Sequence, residues 1–296
     1  MPALETLPPH EKDLGGGFMV RRSLPSPRRQ AVGPFVFFDH FGPVTALPGD
    51  NFDVRPHPHI GLATVSYLFE GAMMHRDSTG VVQRIEPGAI NLMTAGRGIV
   101  HSERTPEDLR AVERRSHGLQ LWLAVPAEHE EDAPGFQHVP GAEIPAVDVN
   151  GVRVRVLIGS AFGLRSPVAT KSPTLYLDLS FAAGASLTIP DAAQERALYS
   201  VDHDFTLDGT PVPAFTMVVL EPGSEPVLSA PPGGRIVLVG GAPLGPRFIV
   251  WNFVSSRKER IAQAQDDWEA FTSGRAAGFE HVPGETEFIP LPPRRP

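Results

Sequence analysis

The sequence predicts an all-β protein built as two tandem barrels with a short C-terminal helix. Three observations carry this. Short runs of β type recur along the 296 residues, several alternate apolar and polar residues, and most end in Gly or Pro. Asn150-Gly151 and Asp208-Gly209 are hairpin-turn signals. Two stretches also repeat: "GFQHVPG" at 135–141 returns as "GFEHVPG" at 278–284, and "EPG" at 86–88 returns at 221–223.

In chain order the strand candidates are "ATVSYLFEG" (63–71), "GLQLWLAVP" (118–126), "GVRVRVLIG" (151–159), "TLYLDLSF" (174–181), "FTMVVLEPG" (215–223) and "RIVLVGG" (235–241). Strands of this length and spacing build a barrel or a sandwich, and the echoes favour two barrels in series. The acidic, Pro-rich stretch 126–145 supplies the joint, giving an N-terminal barrel over 1–134 and a C-terminal barrel over 135–296. One segment has helical period instead. Ile261, Ala264, Trp268 and Phe271 share a face, Ser256 and Glu259 form a capping-box pattern, and Gly274 can close the end.

Composition narrows the function. There are no cysteines, so disulfides, thiolate metal sites and cysteine nucleophiles are excluded. The net charge of −8 disfavours direct nucleic-acid binding, which needs a basic surface. The basic cluster "RRSLPSPRR" (Arg21, Arg22, Arg28, Arg29) reads as a solvated loop, with a small anionic partner as the other option. No apolar run is long enough to span a bilayer and no signal pattern opens the chain, so a cytoplasmic location is expected. "HRD" at 75–77 is not a kinase loop, because the asparagine expected five residues after the Asp is Val82.

The chemistry lies in two short pairs. In "RPHPHIGLA" (55–63), His57 and His59 are two apart, so on a strand they project from one face. Pro58 lacks an N–H, which places the segment on an edge strand or at a strand entrance and stiffens it. In "GRGIVHSER" (96–104), His101 and Glu103 repeat the spacing. Three imidazole nitrogens and one carboxylate suit a divalent first-row ion: Fe, Mn, Co, Ni, Cu or Zn. Such a set leaves positions open, unlike a closed structural site. Of the other histidines, His40 and His75 are the two that could lie near the site; the rest read as structural. The second half carries no matching ligands near 186–190 or 235–241, so one metal per chain is expected.

With these residues assembled, the chain resembles the pirin family of the cupin superfamily. The resemblance rests on "VGPFVFFDHFGP" (32–43), "RPHPHIGLATVSYLFEGAMMHRDSTG" (55–80), "MTAGRGIVHSER" (93–104), "GLQLWLAVP" (118–126) and the "PGETEFIPLP" tail. It implies a bicupin with one metal in the N-terminal cupin-type barrel, the same four ligands, and Fe(II) as the native ion. It departs from many cupins in having Ala63 where a glutamate follows the second histidine by four residues.

The resemblance implies two functions. One is a quercetin 2,3-dioxygenase-like enzyme acting with O2 on a flavonol or related small aromatic substrate. Glu103 would then be both ligand and proton acceptor. Val65, Tyr67 and Phe69 share strand parity with the histidines and would line the substrate pocket if Gly61 introduces no bulge; Gln120 and Trp122 are secondary candidates. The other function is a non-catalytic metal or redox sensor that binds a protein partner in transcription. No membrane partner and a monomeric state are expected.

Overall fold

The computed structural model describes residues 4–14, 17–275 and 278–294. Two compact units emerge. One comprises 14–18, 41–138 and 245–296; the other comprises 1–13, 19–40 and 139–244. The chain therefore crosses between units near 13, 18, 40, 138 and 244.

Each unit is a double-sheet antiparallel roll with the same strand order. In the first, the strands are β1 (Phe35–Ala46, of which 41–46 belong here), β2 (Val54–His59), β3 (Leu62–Glu70), β4 (Met73–Asp77), β5 (Val82–Ile85), β6 (Ile90–Thr94), β7 (Ile99–Arg104) and β8 (Arg114–Ala124). They form sheets ordered β6-β3-β8-β1 and β2-β7-β4-β5. In the second, β9 (Thr174–Phe181), β10 (Ser186–Thr188), β11 (Glu195–Ser200), β12 (Phe205–Leu207), β13 (Thr210–Val212), β14 (Met217–Leu220), β15 (Val227–Ser229) and β16 (Gly234–Gly241) form sheets ordered β14-β11-β16-β9 and β10-β15-β12-β13. Strand n of the first matches strand n+8 of the second. This is the eight-stranded, double-sheet roll of a cupin, and it occurs twice: the fold is all-β and bicupin, with one C-terminal helix.

The hairpin signals work as expected. Asn150 and Gly151 have φ of 50° and 82°, and Asp208 and Gly209 have 48° and 76°. Paired positive φ at two central residues is the type I′ signature that matches strand twist, and each pair joins adjacent antiparallel strands.

The echoes that suggested duplication do not mark equivalent positions. Residues 135–139 form a strand, whereas 278–284 have no regular structure and lie beside the helix. The first "EPG" precedes β6, but the second follows β14, the partner of β6. The counterpart of β7 is thus β15, not 235–241. The topological repeat is real; the short sequence echoes do not report it.

The helix, Lys258–Thr272 (α1), buries Ile261, Ala264, Trp268 and Phe271, the predicted face. Its C-terminus closes on Gly274 at φ 77°, with Gly274 N–H donating to Phe271 O and Arg275 N–H to Ala270 O. These are the paired bonds of a Schellman motif. The expected capping box is absent. Arg257 is the N-cap and makes no side-chain cap bond, because Ser256 donates both N–H and Oγ–H to the buried Glu130 carboxylate instead. Glu130 also receives Ser255 Oγ–H and pairs with Arg247. Charge-assisted bonds to a buried carboxylate outweigh a surface cap worth about 1 kcal/mol. Among the described residues no helix is long and apolar enough to cross a membrane.

Candidate metal centre

β2 and β7 pair antiparallel with His101 opposite His57 and Ile99 opposite His59. β2 is the edge strand of its sheet, the place where Pro58 is tolerated. The strand pair brings three imidazoles into one interior cluster. Ring centroids lie 4.3 Å apart for His57–His101 and 5.0 Å for the other two pairs. One nitrogen of each ring falls within 4.8 Å of one nitrogen of the others.

The hydrogen bonds say which nitrogen faces inward. His57 Nδ1 lies 2.9 Å from Arg55 O, and His59 Nδ1 lies 3.0 Å from Asn252 O. A carbonyl only accepts, so each Nδ1 carries the proton and each Nε2 keeps its lone pair. His101 Nε2 is buried and has no hydrogen-bond partner. Burial holds all three rings neutral: His57 is pushed down to about 4, and His59 and His101 well below the ordinary histidine range, aided by neighbouring imidazoles. A core histidine that is merely structural finds a partner, since an orphaned buried nitrogen costs about 1–3 kcal/mol. Three neutral imidazoles with their ligand atoms this close, one of them a buried nitrogen without a hydrogen-bond partner, fit a divalent cation.

Glu103 stands on the same strand face but is not part of the tight group of three. A bulge between His101 and Glu103 sets Glu103 opposite Val54. Its carboxylate accepts from Gln120 Nε2–H at 3.3 Å, and Gln120 Oε1 accepts from Ser66 Oγ–H at 2.7 Å. Glu103 keeps some exposure yet is hemmed in by protein, and this burial pushes its carboxyl up to about 7.

That hydrogen-bonded row decides which side of β3 faces the site. Ser66 pairs with Gln120 and Thr64 with Trp122, and the Trp122 ring lies 5.3 Å from that of His59. The structure therefore brings Gln120 and Trp122 to the site. It does not bring Val65, Tyr67 or Phe69. Val65 and Tyr67 alternate onto the opposite face, and Phe69 rests against Tyr67 and His117. The physical reason is Gly61. With φ of 66° it turns the chain from one sheet into the other, so strand parity does not pass from His59 to β3. Ser66 and Thr64 take the expected places.

His75, weighed from sequence as a possible neighbour, is one. Its Nδ1 lies 3.4 Å from His101 Nδ1, its Nε2 lies 3.0 Å from Asp77 Oδ2, and its ring stacks 4.5 Å from Phe136. Asp77 was missed, although His75-x-Asp77 repeats the i, i+2 spacing of the ligand pairs. Burial pushes the Asp77 carboxyl up, but hydrogen bonds from His75, Thr79 and Val81 outweigh it and hold the group below the usual carboxylate range. His40 belongs to the other unit, where its Nδ1 lies 2.9 Å from Tyr199 Oη.

In the second unit a cross-strand row of Leu187, Leu228 and Leu207 occupies the three strands that carry His57, His101 and Asp77 in the first. Those leucines are at most 3% exposed within a continuous apolar core. Among the described residues the histidine group is the one cluster with metal-ligand spacing. The basic cluster is largely consumed internally: Arg22 forms a bidentate pair with Asp39, Arg29 pairs with Glu5 and Glu195, and Arg21 covers the Phe215 ring.

A family model described as Pirin matches residues 17–123, and one described as Pirin C-terminal cupin domain matches residues 176–274. A Pirin-like protein of Caulobacter vibrioides is 45% identical over 284 residues, covering 95% of this chain and 96% of that protein. Pirin of Homo sapiens is 35% identical over 273 residues, covering 89% and 91%. The crystal structure of a quercetin 2,3-dioxygenase from Acinetobacter baumannii superposes with a TM-score of 0.89 at 32% identity, over 99% of this chain and 96% of that one.

Proposed function

The chain belongs to the pirin family, and from that premise we propose that it is a mononuclear metal-dependent dioxygenase of the quercetin 2,3-dioxygenase type. His57, His59 and His101 hold the ion through their Nε2 atoms, Glu103 completes the set, and Fe(II) is the ion proposed. The substrate is a flavonol or related polyphenol, and the co-substrate is O2. The proposal places metal chemistry in the 1–134 half and none in the 135–296 half.

The observation that carries this reading is the set of three buried imidazoles whose lone pairs converge, with the Glu103 carboxylate two residues from His101 on the same strand. When bound, the ion supplies a Lewis acid for the substrate's hydroxyl oxygen and a redox partner for dioxygen. The protein's own part is proton handling and orientation. Glu103, the carboxylate of the set, accepts the hydroxyl proton as general base. Gln120, itself fixed by Ser66, holds one Glu103 oxygen and leaves the other to act. Trp122, against the His59 ring, presents an apolar wall of the kind a flat aromatic substrate needs.

Oxygen consumption tests this. Uptake with a flavonol is expected to stop with a chelator and return with Fe(II). Glu103→Gln is expected to slow turnover by roughly 10²–10⁴-fold, the ordinary worth of a positioned base. No uptake across a panel of polyphenols, with metal fully loaded, overturns the catalytic reading in favour of a metal-dependent regulator.

A further inference from the structure

His57 and His59 are oriented by backbone carbonyls. His101 is not: its Nδ1 meets the Nδ1 of a second imidazole, His75. That contact is productive only if one nitrogen donates and the other accepts. Asp77 decides which. Its Oδ1 already accepts from Thr79 N–H at 2.9 Å, Thr79 Oγ–H at 2.7 Å and Val81 N–H at 3.2 Å, across the β4–β5 turn. A carboxylate with that many donors on one oxygen is an acceptor on the other, so His75 Nε2 carries a proton toward Asp77 Oδ2. A His75 ring carrying that single proton has its lone pair on Nδ1, facing His101. His101 Nδ1 must donate, which leaves its lone pair on Nε2, the buried atom with no protein partner.

We propose that His75 and Asp77 are positioning residues that fix the tautomer of His101 through this chain of two hydrogen bonds, so that its Nε2 lone pair is preset for the metal. The inference rests on the metal-centre reading. All three residues are at most 3% exposed, so solvent has little access to replace a missing partner. Ligating histidines nearly always direct their second N–H to an oxygen acceptor. Here an imidazole backed by a carboxylate takes that place, and the negative charge of Asp77 reaches the ligand through it.

The geometry sets apart tautomer control from simple packing. His75→Leu fills space but leaves His101 N–H and Asp77 Oδ2 unpaired. His75→Gln can offer its carbonyl to His101 and its amide N–H to Asp77, restoring the chain. Asp77→Asn keeps an oxygen for the turn but directs its NH₂ at His75, which reverses the His75 tautomer and sets two N–H groups against each other. Cobalt(II) is the probe, titrated against a competing chelator and followed by its d–d absorption, with thermal unfolding of each chelated apoprotein as the fold control. His75→Leu and Asp77→Asn are each expected to weaken cobalt binding by roughly 10–100-fold, the usual effect of losing an outer partner. His75→Gln is expected to stay near the parent, with the parent's cobalt spectrum.

Parent-like affinity in His75→Leu or Asp77→Asn overturns the relay while leaving the metal centre standing. Equal losses in His75→Gln and His75→Leu reduce His75 to packing and also overturn it. A parent protein that takes up no cobalt overturns the metal centre and the relay together.

Discussion

Protein purified without added metal is expected to carry about one ion per chain by elemental analysis, and His59→Ala is expected to carry none. His59 is 1% exposed and touches both other imidazoles and Trp122. Removing it leaves two ligating rings and a hole, so the affinity loss should exceed the roughly 100-fold seen when only an outer partner is lost. His203→Ala is the control: that histidine is largely exposed, pairs with Asp202 at 3.2 Å and lies in the other unit. Its metal content should equal the parent's. Thermal unfolding gives a second readout. A ligand that binds only the folded state at 100 times its dissociation constant adds about 2.7 kcal/mol. A chelator should therefore lower the unfolding temperature of the parent and of His203→Ala, and leave His59→Ala unmoved. Equal metal content in both variants would remove the site from these strands.

The histidine cluster was legible because strand geometry maps i, i+2 onto one face without outside help, so His57 and His59 needed only local extended backbone and an inward orientation to meet His101. Pro58, with no N–H for a second neighbour, pointed to an edge strand or a strand entrance, and β2 is the edge strand of its sheet. The helix face followed from spacing in the same way.

What stayed hidden depends on where one element ends and the next begins. Gly61 looked like a continuation of the strand, but its positive φ hands the chain from the small sheet to the large one. Nothing in "HIGLA" states that angle. A Cβ there would sit 2.1 Å from Val254 O, a contact made by a segment nearly two hundred residues away. His75–Asp77 was hidden for a related reason. Its role requires knowing that β4 pairs with β7, with His101 opposite Asp77, and register between distant strands is not written in either strand. The capping box failed by competition: Ser256 had a better acceptor in Glu130, remote in sequence.

Trp268→Ala is expected to cost about 3–5 kcal/mol of stability, the range for removing a large aromatic from a core. Trp268 is fully buried. Its ring stacks on Phe271 at 5.0 Å and meets Phe279 and Phe288 edge-on. The cluster includes Ile60 and Val100, the chain neighbours of His59 and His101. α1 thus packs against the strands that carry the histidine cluster. Trp268 Nε1–H also donates to Ile289 O at 3.1 Å, while Ile289 N–H donates to Pro56 O at 2.8 Å. One side chain therefore joins the helix, the C-terminal segment and the edge of β2. Nearby, Glu285 accepts from Ser102 and Arg104, which flank Glu103. If this packing holds the ligand strands in place, stability and metal retention should fall together. Urea unfolding should show a lower midpoint with an unchanged slope, and cobalt should leave Trp268→Ala faster than the parent. Trp268→Phe separates the two contributions: it keeps most of the apolar contact and loses the bond to Ile289, so its stability loss should be near 1 kcal/mol. A Trp268→Ala protein with the parent's urea midpoint would mean that the helix decorates the barrel rather than bracing it.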